Sequence, residues 1–398
     1  MSSGDGTALF AAPETINTDP ASNGKSTTGV LPYQALTAML RAGEISAVPG
    51  VEPAQIQPAS LDLRLGRYAY RVRASFLPGT NAKVMDRVEQ MDGFPPLDLA
   101  EGAVLERGCV YVVELLEHVR LPPGVIGLAN PKSSTGRLDV LTRLITDGST
   151  VFDQIERDYE GKLYVEIAPQ TFSIIARRGS RLNQVRFQRG SFHRGGPAVA
   201  TSELQRLYSE GQLVRSIGDR QSIRDNLVPV TIDLKGDRPG SVIGYRAKKH
   251  ADKIDIDRAG AYNPHNFWEP IVYHSDAALI LDPDEFYILV TAEEVGVPLH
   301  LAAEMVPYYT RSGEYRVHYA GFFDPGFGWR DGRAQGSRAV LEVRSHEVPF
   351  MLEHGQIVGW LRYERMAAQP ERTYGTGLKS NYQNQGLALA KHFKPFGR

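Results

Sequence analysis

The sequence says most things twice, and that repetition decides what it can fold into. The stretch LERGCVYVVELLEHVRLP at 105–122 returns as LDPDEFYILVTAEEVGVP at 281–298. LYVEIAPQTFSIIARRGSRLNQVRF at 163–187 returns as AVLEVRSHEVPFMLEHGQIVGWLRY at 339–363, at the same displacement of 176 positions. Two shorter echoes come earlier in each half. LTAMLRAGEI (36–45) returns as LQRLYSEGQL (204–213), and PASLDLRLG (58–66) as PVTIDLKGD (229–237), matching Pro58, Asp62 and Leu63 to Pro229, Asp233 and Leu234. Separate blocks holding one offset indicate a duplicated domain, and 398 residues give room for two. The chain thus divides into a tail over 1–29, a first domain over 30–190 and a second over 200–398. The tail is rich in Ser, Thr, Gly, Asn and Pro and is expected to be flexible. The joint is QRGSFHRGGPAVATS (188–202), with a linker's glycines and serines.

Within each half the pattern is mainly β, opened by one short helix. Apolar residues at helical spacing in 36–45 and 204–213 stop at Gly43 and Gly211, as at helix C-termini. Beyond them come runs such as VYVVEL, LYVEIA, YILVTA and AVLEVRS, rich in β-branched and aromatic residues and separated by Gly, Pro and Asp. Many short strands with few helices predict two tandem distorted β-barrels or jelly rolls rather than βαβ layers. No G-x-G-x-x-G opens a helix and no G-x-x-x-x-G-K-[ST] is present, which sets Rossmann and P-loop folds aside.

A net charge of −1 gives no global positive field, so neither nucleic acid nor an anionic membrane is expected as a partner. Anion binding must be local. The single Cys109 precludes an intrachain disulfide framework and suits a reducing compartment. The first 29 residues lack a basic n-region followed by an apolar core, and the protein is expected to be cytoplasmic.

Three local features point to chemistry. The first is LANPKSSTGRLDV (128–140), which crowds Lys132, Ser133, Ser134, Gly136 and Arg137 behind one proline. Charged groups, hydroxyls and turning amides are the equipment of an anion-binding concavity. For an isolated K-S-S, a polar loop between strands is the better explanation. The second is a glutamate inside each apolar strand, Glu166 between Val165 and Ile167 and Glu342 between Leu341 and Val343. A wet strand face accounts for one such glutamate, but retention in both copies favours a role. A carboxylate in a partly apolar wall is poised as a general base or acid near neutral pH. The third is a turn before each glutamate, FDQIERDYEGKL (152–163) and AGFFDPGFGW (320–329), carrying acidic and aromatic residues. Such aromatics serve either as core or as a stacking face for a base or sugar.

Together these residues resemble the dCTP deaminase family, relatives of the trimeric dUTPases. The family's cation, two serines and arginine stand here as Lys132, Ser133, Ser134 and Arg137. The Arg-Ser-Gly of dUTPases reappears as Arg311, Ser312 and Gly313, with Arg316 as the candidate phosphate arginine of the second half. The family turn stands as Phe323, Asp324, Pro325, Gly326 and Phe327, with Ala320 at its start. In the first half it becomes Ile155, Glu156, Arg157, Asp158 and Tyr159, a form closer to dUTPases. Glu166 and Glu342 fill the catalytic position. YGTGLKSNYQNQG (374–386) resembles the nucleotide-covering tail, with Tyr374, Lys379 and Gln385 as counterparts of its tyrosine, lysine and glutamine, although Asn381 holds the strict lysine position.

The resemblance implies dUTPase-like folds and hydrolytic deamination of dCTP to dUTP and ammonia, a step of pyrimidine deoxynucleotide metabolism. It implies Mg2+ carried on the substrate triphosphate and no zinc, since one cysteine and the lack of C-x-x-C or H-x-E leave no deaminase zinc set. dUTP and dTTP are further candidate ligands. The alternatives are a dUTPase or bifunctional enzyme, with Asp158 aligning water on the α-phosphate, and a non-catalytic nucleotide-binding regulator. A homo-oligomer is implied, a trimer of two-domain chains being favoured. In the family's threefold rings one barrel supplies the phosphate loop and the next the glutamate. If like halves ring with like, Arg137 meets Glu166, which makes Glu166 the expected base. A mixed pairing joins Arg137 to Glu342 and reverses that choice.

Overall fold

The computed structural model describes residues 28–91, 94–190, 197–215, 221–273, 278–306, 315–318 (backbone only), 321–345, 347–375 and 386–396. Each half opens on the helix anticipated from its periodicity, Tyr33–Arg41 and Thr201–Ser209. Both helices stop where a glycine takes a left-handed φ, +69° at Gly43 and +72° at Gly211. A side chain there would be strained.

Two antiparallel sheets follow in each half, and their strand orders match. In the first half one sheet runs Leu97–Asp98, Leu65–Val72, Val110–Arg120, Glu160–Pro169, Val140–Thr146. Its counterpart in the second half runs Trp268–Val272, Val242–Ala247, Phe286–Val295, Arg338–Ser345, Tyr315–His318. The facing sheets are built on Asn183–Arg189 beside Val125–Pro131, and on Ile357–Arg365 beside Leu301–Val306. Sandwiched sheets of this kind bury alternate residues of each strand between them. The duplication reaches single hydrogen bonds. The Tyr111 hydroxyl accepts from the Glu106 amide at 3.1 Å, and Tyr287 from Asp282 at 3.0 Å. The repeat partners Glu117 and Glu293 are both buried and each accept a backbone amide at 2.8 Å, from Arg64 and from Thr231, although those two donors are not repeat partners.

The halves do not fold as separate beads. The first hydrophobic core draws in Ala247, Ile254, Phe267, Trp268 and Phe286 from the second half, and Phe393 from the C-terminal segment. Ile254–Asp255 adds a parallel strand to Ile174–Ala176, and Arg177 grips Asp255 through two bonds of 2.7 and 2.9 Å. The joint is also shorter than its composition suggests. Gln188 and Arg189 end a strand, and Gln188 is buried with its amide donating to Glu364 at 3.0 Å. Gly29–Val30 likewise belongs to the sheet, paired with Arg189 and Gln188. The rest of the expected flexible tail, 1–27, lies outside the described residues. Among the described residues no helix is long and apolar enough to cross a membrane.

Candidate active site

Pro131 ends a strand, and the chain then makes a single helical turn, Ser133–Gly136, whose Thr135 and Gly136 amides return to the Lys132 carbonyl. The turn buries Ser134 and Arg137 and leaves Lys132 and Ser133 half-buried. Lys132 forms an ion pair with Asp62, the residue matched to Asp233 in the repeat. Arg137 donates from Nη1 to the carbonyl of Ala388 at 3.2 Å, so the far end of the chain arrives at this loop.

Two residues beyond Arg137, Asp139 is fully buried with φ +56°. Its Oδ2 accepts from the Thr171 hydroxyl at 2.5 Å and from Arg344 Nε and Nη2 at 3.0 and 2.5 Å. Arg344 belongs to the second half, on the strand Arg338–Ser345. Strand residues two apart share a face. Leu341 and Val343 therefore fill the second core, while Glu342 and Arg344 turn toward the first half.

Glu342 is buried, and burial pushes its carboxyl up to about 8. The Arg137 guanidinium opposes that rise and the Asp139 carboxylate adds to it. Desolvation thus outweighs one nearby cation and holds the group poised near neutrality.

Glu166 has a different neighbourhood. It is also buried, but its Oε1 accepts from Arg143 Nε at 2.9 Å and Nη2 at 2.5 Å. Arg143 stands opposite it in strand register, stacks 3.9 Å over the Phe152 ring and reaches Ser75 at 2.6 Å. The corresponding position opposite Glu342 is His318. Within one chain, Arg137 lies beside Glu342, and Glu166 is held by Arg143 of the adjacent strand.

The second-half turn comes to the same loop. Burial raises the Asp324 carboxyl, Arg186 opposes this, and the Asp62 and Lys132 charges both act on it. Arg186, from the first half, is fully buried and contacts Asp324 Oδ1 and the Phe323 carbonyl at 3.3 Å and the Ala303 carbonyl at 3.2 Å. Its guanidinium also lies 4.1 Å from the Phe322 ring centre. Tyr374 packs on this turn, its amide donating to the Pro325 carbonyl at 2.8 Å and its ring 5.5 Å from Phe327. Phe327 itself is core.

The first-half turn is used otherwise. Glu156 and Asp158 are exposed, and the Tyr159 hydroxyl donates to the Lys162 carbonyl at 2.6 Å, bracing its own turn. Arg311, Ser312, Ala320, Lys379 and Gln385 lie outside the described residues, as does the side chain of Arg316. Sequence reasoning passed over Asp139, Arg186 and Arg344. Arg344, two positions past the glutamate and so on its face, carried a usable signal.

The site therefore gathers cations around a loop suited to a polyanion, with a poised carboxyl from the other half beside them. Residues 27–191 match the family described as 2'-deoxycytidine 5'-triphosphate deaminase (DCD) N-terminal domain, and 200–393 the C-terminal domain of the same description. A protein of Corynebacterium efficiens named "dCTP deaminase, dUMP-forming" is 30% identical over 162 residues, which are 39% of this chain and 76% of that one. Its namesake from Corynebacterium jeikeium is 35% identical over 114 residues, 28% of this chain and 56% of the relative. Among solved structures, the 2'-deoxycytidine 5'-triphosphate deaminase of Agrobacterium tumefaciens shares 50% identity at a TM-score of 0.79, over 87% of this chain and 100% of that one. Matches to both halves in order, and a full-length structural counterpart, place the chain in the 2'-deoxycytidine 5'-triphosphate deaminase family.

Proposed function

We infer that this protein hydrolyses dCTP to dUTP and ammonia within pyrimidine deoxynucleotide metabolism, with Glu342 as the general base. The observation that carries the choice of base is the neighbourhood of Glu342: a buried carboxyl with a raised pKa, beside Arg137 of the phosphate loop. Glu342 takes a proton from water, the hydroxide adds to cytosine C4, and the proton passes to the ring nitrogen. The amine then takes the proton of the new C4 hydroxyl, the C4–amine bond breaks, and ammonia leaves while the oxygen stays as the C4 carbonyl of uracil. Lys132, Ser133, Ser134 and Arg137 hold the triphosphate, and Asp324 with its turn faces the nucleoside. Arg311, Ser312, Arg316, Ala320, Tyr374, Lys379 and Gln385 remain proposed substrate contacts.

The substrate enters with Mg2+ on its phosphates, coordinated largely by phosphate oxygens and water. The reaction is proposed to be zinc-independent. The protein is also proposed to be cytoplasmic and homo-oligomeric.

A second reading comes from the Corynebacterium relatives, whose names specify dUMP as product. Incubation with dCTP and with dUTP, followed by separate assays of ammonia and pyrophosphate, decides between them. Ammonia alone supports deamination to dUTP, and pyrophosphate from both substrates supports the dUMP-forming reaction. Absence of both products overturns the enzyme assignment. Turnover that survives a zinc-selective chelator and fails without Mg2+ is the expected metal dependence.

A further inference from the structure

The strand Asn183–Arg189 has two faces. Val185 and Phe187 fill the first core, so Gln184, Arg186 and Gln188 point away from it. Each of the three makes its own connection on that face. Gln184 donates from Nε2 to the Pro131 carbonyl at 3.3 Å, where the phosphate loop begins. Gln188 donates to Glu364 of the second half at 3.0 Å. Between them Arg186 reaches the second-half turn. Its Nη2 serves both the Phe323 carbonyl and Asp324 Oδ1, while Nη1 donates to the Ala303 carbonyl. Residues two apart on a strand stand about 7 Å from each other. One strand face thus sets the start of the phosphate loop beside the Asp324 turn.

Arg186 is a poor choice if its duty is only to join two halves. It is fully buried, its bonds to the turn and to Ala303 are 3.2–3.3 Å long, and its Nε has no hydrogen-bond partner among the described residues. Apolar residues of similar volume often stabilise as well as a buried ion pair or better. The repeat sharpens the contrast. Arg362 is the counterpart of Arg186 at the offset of 176, and Glu156 that of Asp324 in the turn. Glu156 is exposed and accepts from Gln154 at 2.7 Å, and Arg362 is half-buried. Of the two arginines, the one on the Asp324 turn is the buried one.

We propose that Arg186 is a positioning residue for the deamination, fixing the backbone and the carboxylate of the Asp324 turn against the nucleoside of the bound substrate. This rests on the dCTP assignment above. A guanidinium presents several donors in one rigid plane, so a single side chain holds the Phe323 carbonyl and the Asp324 carboxylate together. Its charge also opposes the rise that burial imposes on Asp324, which favours the ionised, accepting form. Nη1 lies 3.9 Å from Glu364 as well. A mere brace between the halves would act without Asp324, and its loss would add to that of Asp324.

The test is a double-mutant cycle in the full chain. Arg186→Met keeps an apolar stem without the charge, and Asp324→Asn removes the carboxylate. Steady-state kinetics with dCTP give KM and kcat, and calorimetric titration with inorganic tripolyphosphate reports on the phosphate loop. Arg186→Met should raise KM about tenfold, as loss of a hydrogen bond to a charged group does, with tripolyphosphate affinity near wild type. Asp324→Asn should raise KM comparably, and the double variant should be no worse than Asp324→Asn alone. Multiplied effects in the double variant overturn the proposal. So does a wild-type KM in either single variant, or tripolyphosphate affinity that falls as far as KM rises. If Arg186→Met fails to fold, Arg186→Lys, which keeps the charge but not the planar fork, enters the same cycle under the same outcomes. A wild-type chain that releases no ammonia overturns the deaminase reading instead. The cycle is then read from dCTP affinity by calorimetry, where non-additive losses uphold Arg186 as the positioning residue and additive losses overturn it.

Discussion

Arg344 and Asp139 form a buried ion pair across the two halves, Nη2 to Oδ2 at 2.5 Å. It clamps the strand carrying Glu342 to the end of the loop carrying Arg137, so these two residues of one polypeptide are held side by side. A chain with Arg137→Ala and a chain with Glu342→Gln should therefore fail to rescue each other when refolded together. Arg137→Ala alone should show a raised KM for dCTP. Recovery of about a quarter of wild-type ammonia release in the mixture would instead mean that sites form between chains.

Of the two strand glutamates, only Glu342 is expected to be needed for turnover. Glu342→Gln preserves shape and removes the base, which should cost about 10²–10⁴ in kcat. Glu166→Gln breaks a pair with Arg143 and should lower the melting temperature while leaving kcat near wild type. Ammonia release and thermal denaturation of both variants check this. A folded Glu166→Gln protein without turnover contradicts the assignment.

The acid–base behaviour follows from the same burial. A base must be ionised, and burial holds Glu342 near 8 instead of the ordinary 4.5. The value of kcat/KM, which reports the free enzyme, should thus rise with pH through about 8. For stability the sign is opposite. Folded Glu342 binds its proton more tightly than unfolded Glu342, so its contribution is full below 4.5 and is lost as pH climbs toward 8. The slope is on the order of 1 kcal/mol per pH unit in that window. Glu342→Gln removes this loss, and the stability of the variant relative to wild type should grow from pH 5 to 8. Urea titrations at several pH values measure it, and a flat difference would refute it.

Removal of the C-terminal residues from Tyr374 onward is expected from sequence to harm activity far more than stability. The position of Phe393 changes that expectation. It fills the first core against Trp268 and Phe267, and Phe393→Ala should cost about 3 kcal/mol. A melt unaltered by Phe393→Ala would show the segment to be lightly docked.

The duplicated fold was legible because hydrophobic alternation and turn glycines are local properties that recur in both halves, two of the strand blocks at one offset of 176. Lys132, Ser134 and Arg137 were legible for the same reason, since one turn presents them all. The partner of each glutamate was not. Arg143 lies 23 positions before Glu166 and meets it only through strand register, whereas Arg137 and Glu342 come together through the packing of two domains. Charge neighbours set by tertiary contact leave no periodic trace. The C-terminal contact with Arg137 was hidden likewise, because a segment of eleven residues without repeat partner carries no pattern to align.

The crossing of Phe393 and Trp268 into the first core has a consequence for synthesis. Domains made early on the ribosome commonly fold as units before later ones emerge. Here the first half leaves the exit tunnel with part of its core wall still untranslated, Trp268 and Phe393 both coming from later in the chain. The nascent first half must wait with apolar surface uncovered until the second half and the segment carrying Phe393 have been made. Premature termination anywhere in the second half should therefore leave a chaperone-dependent fragment rather than a sound single-domain protein.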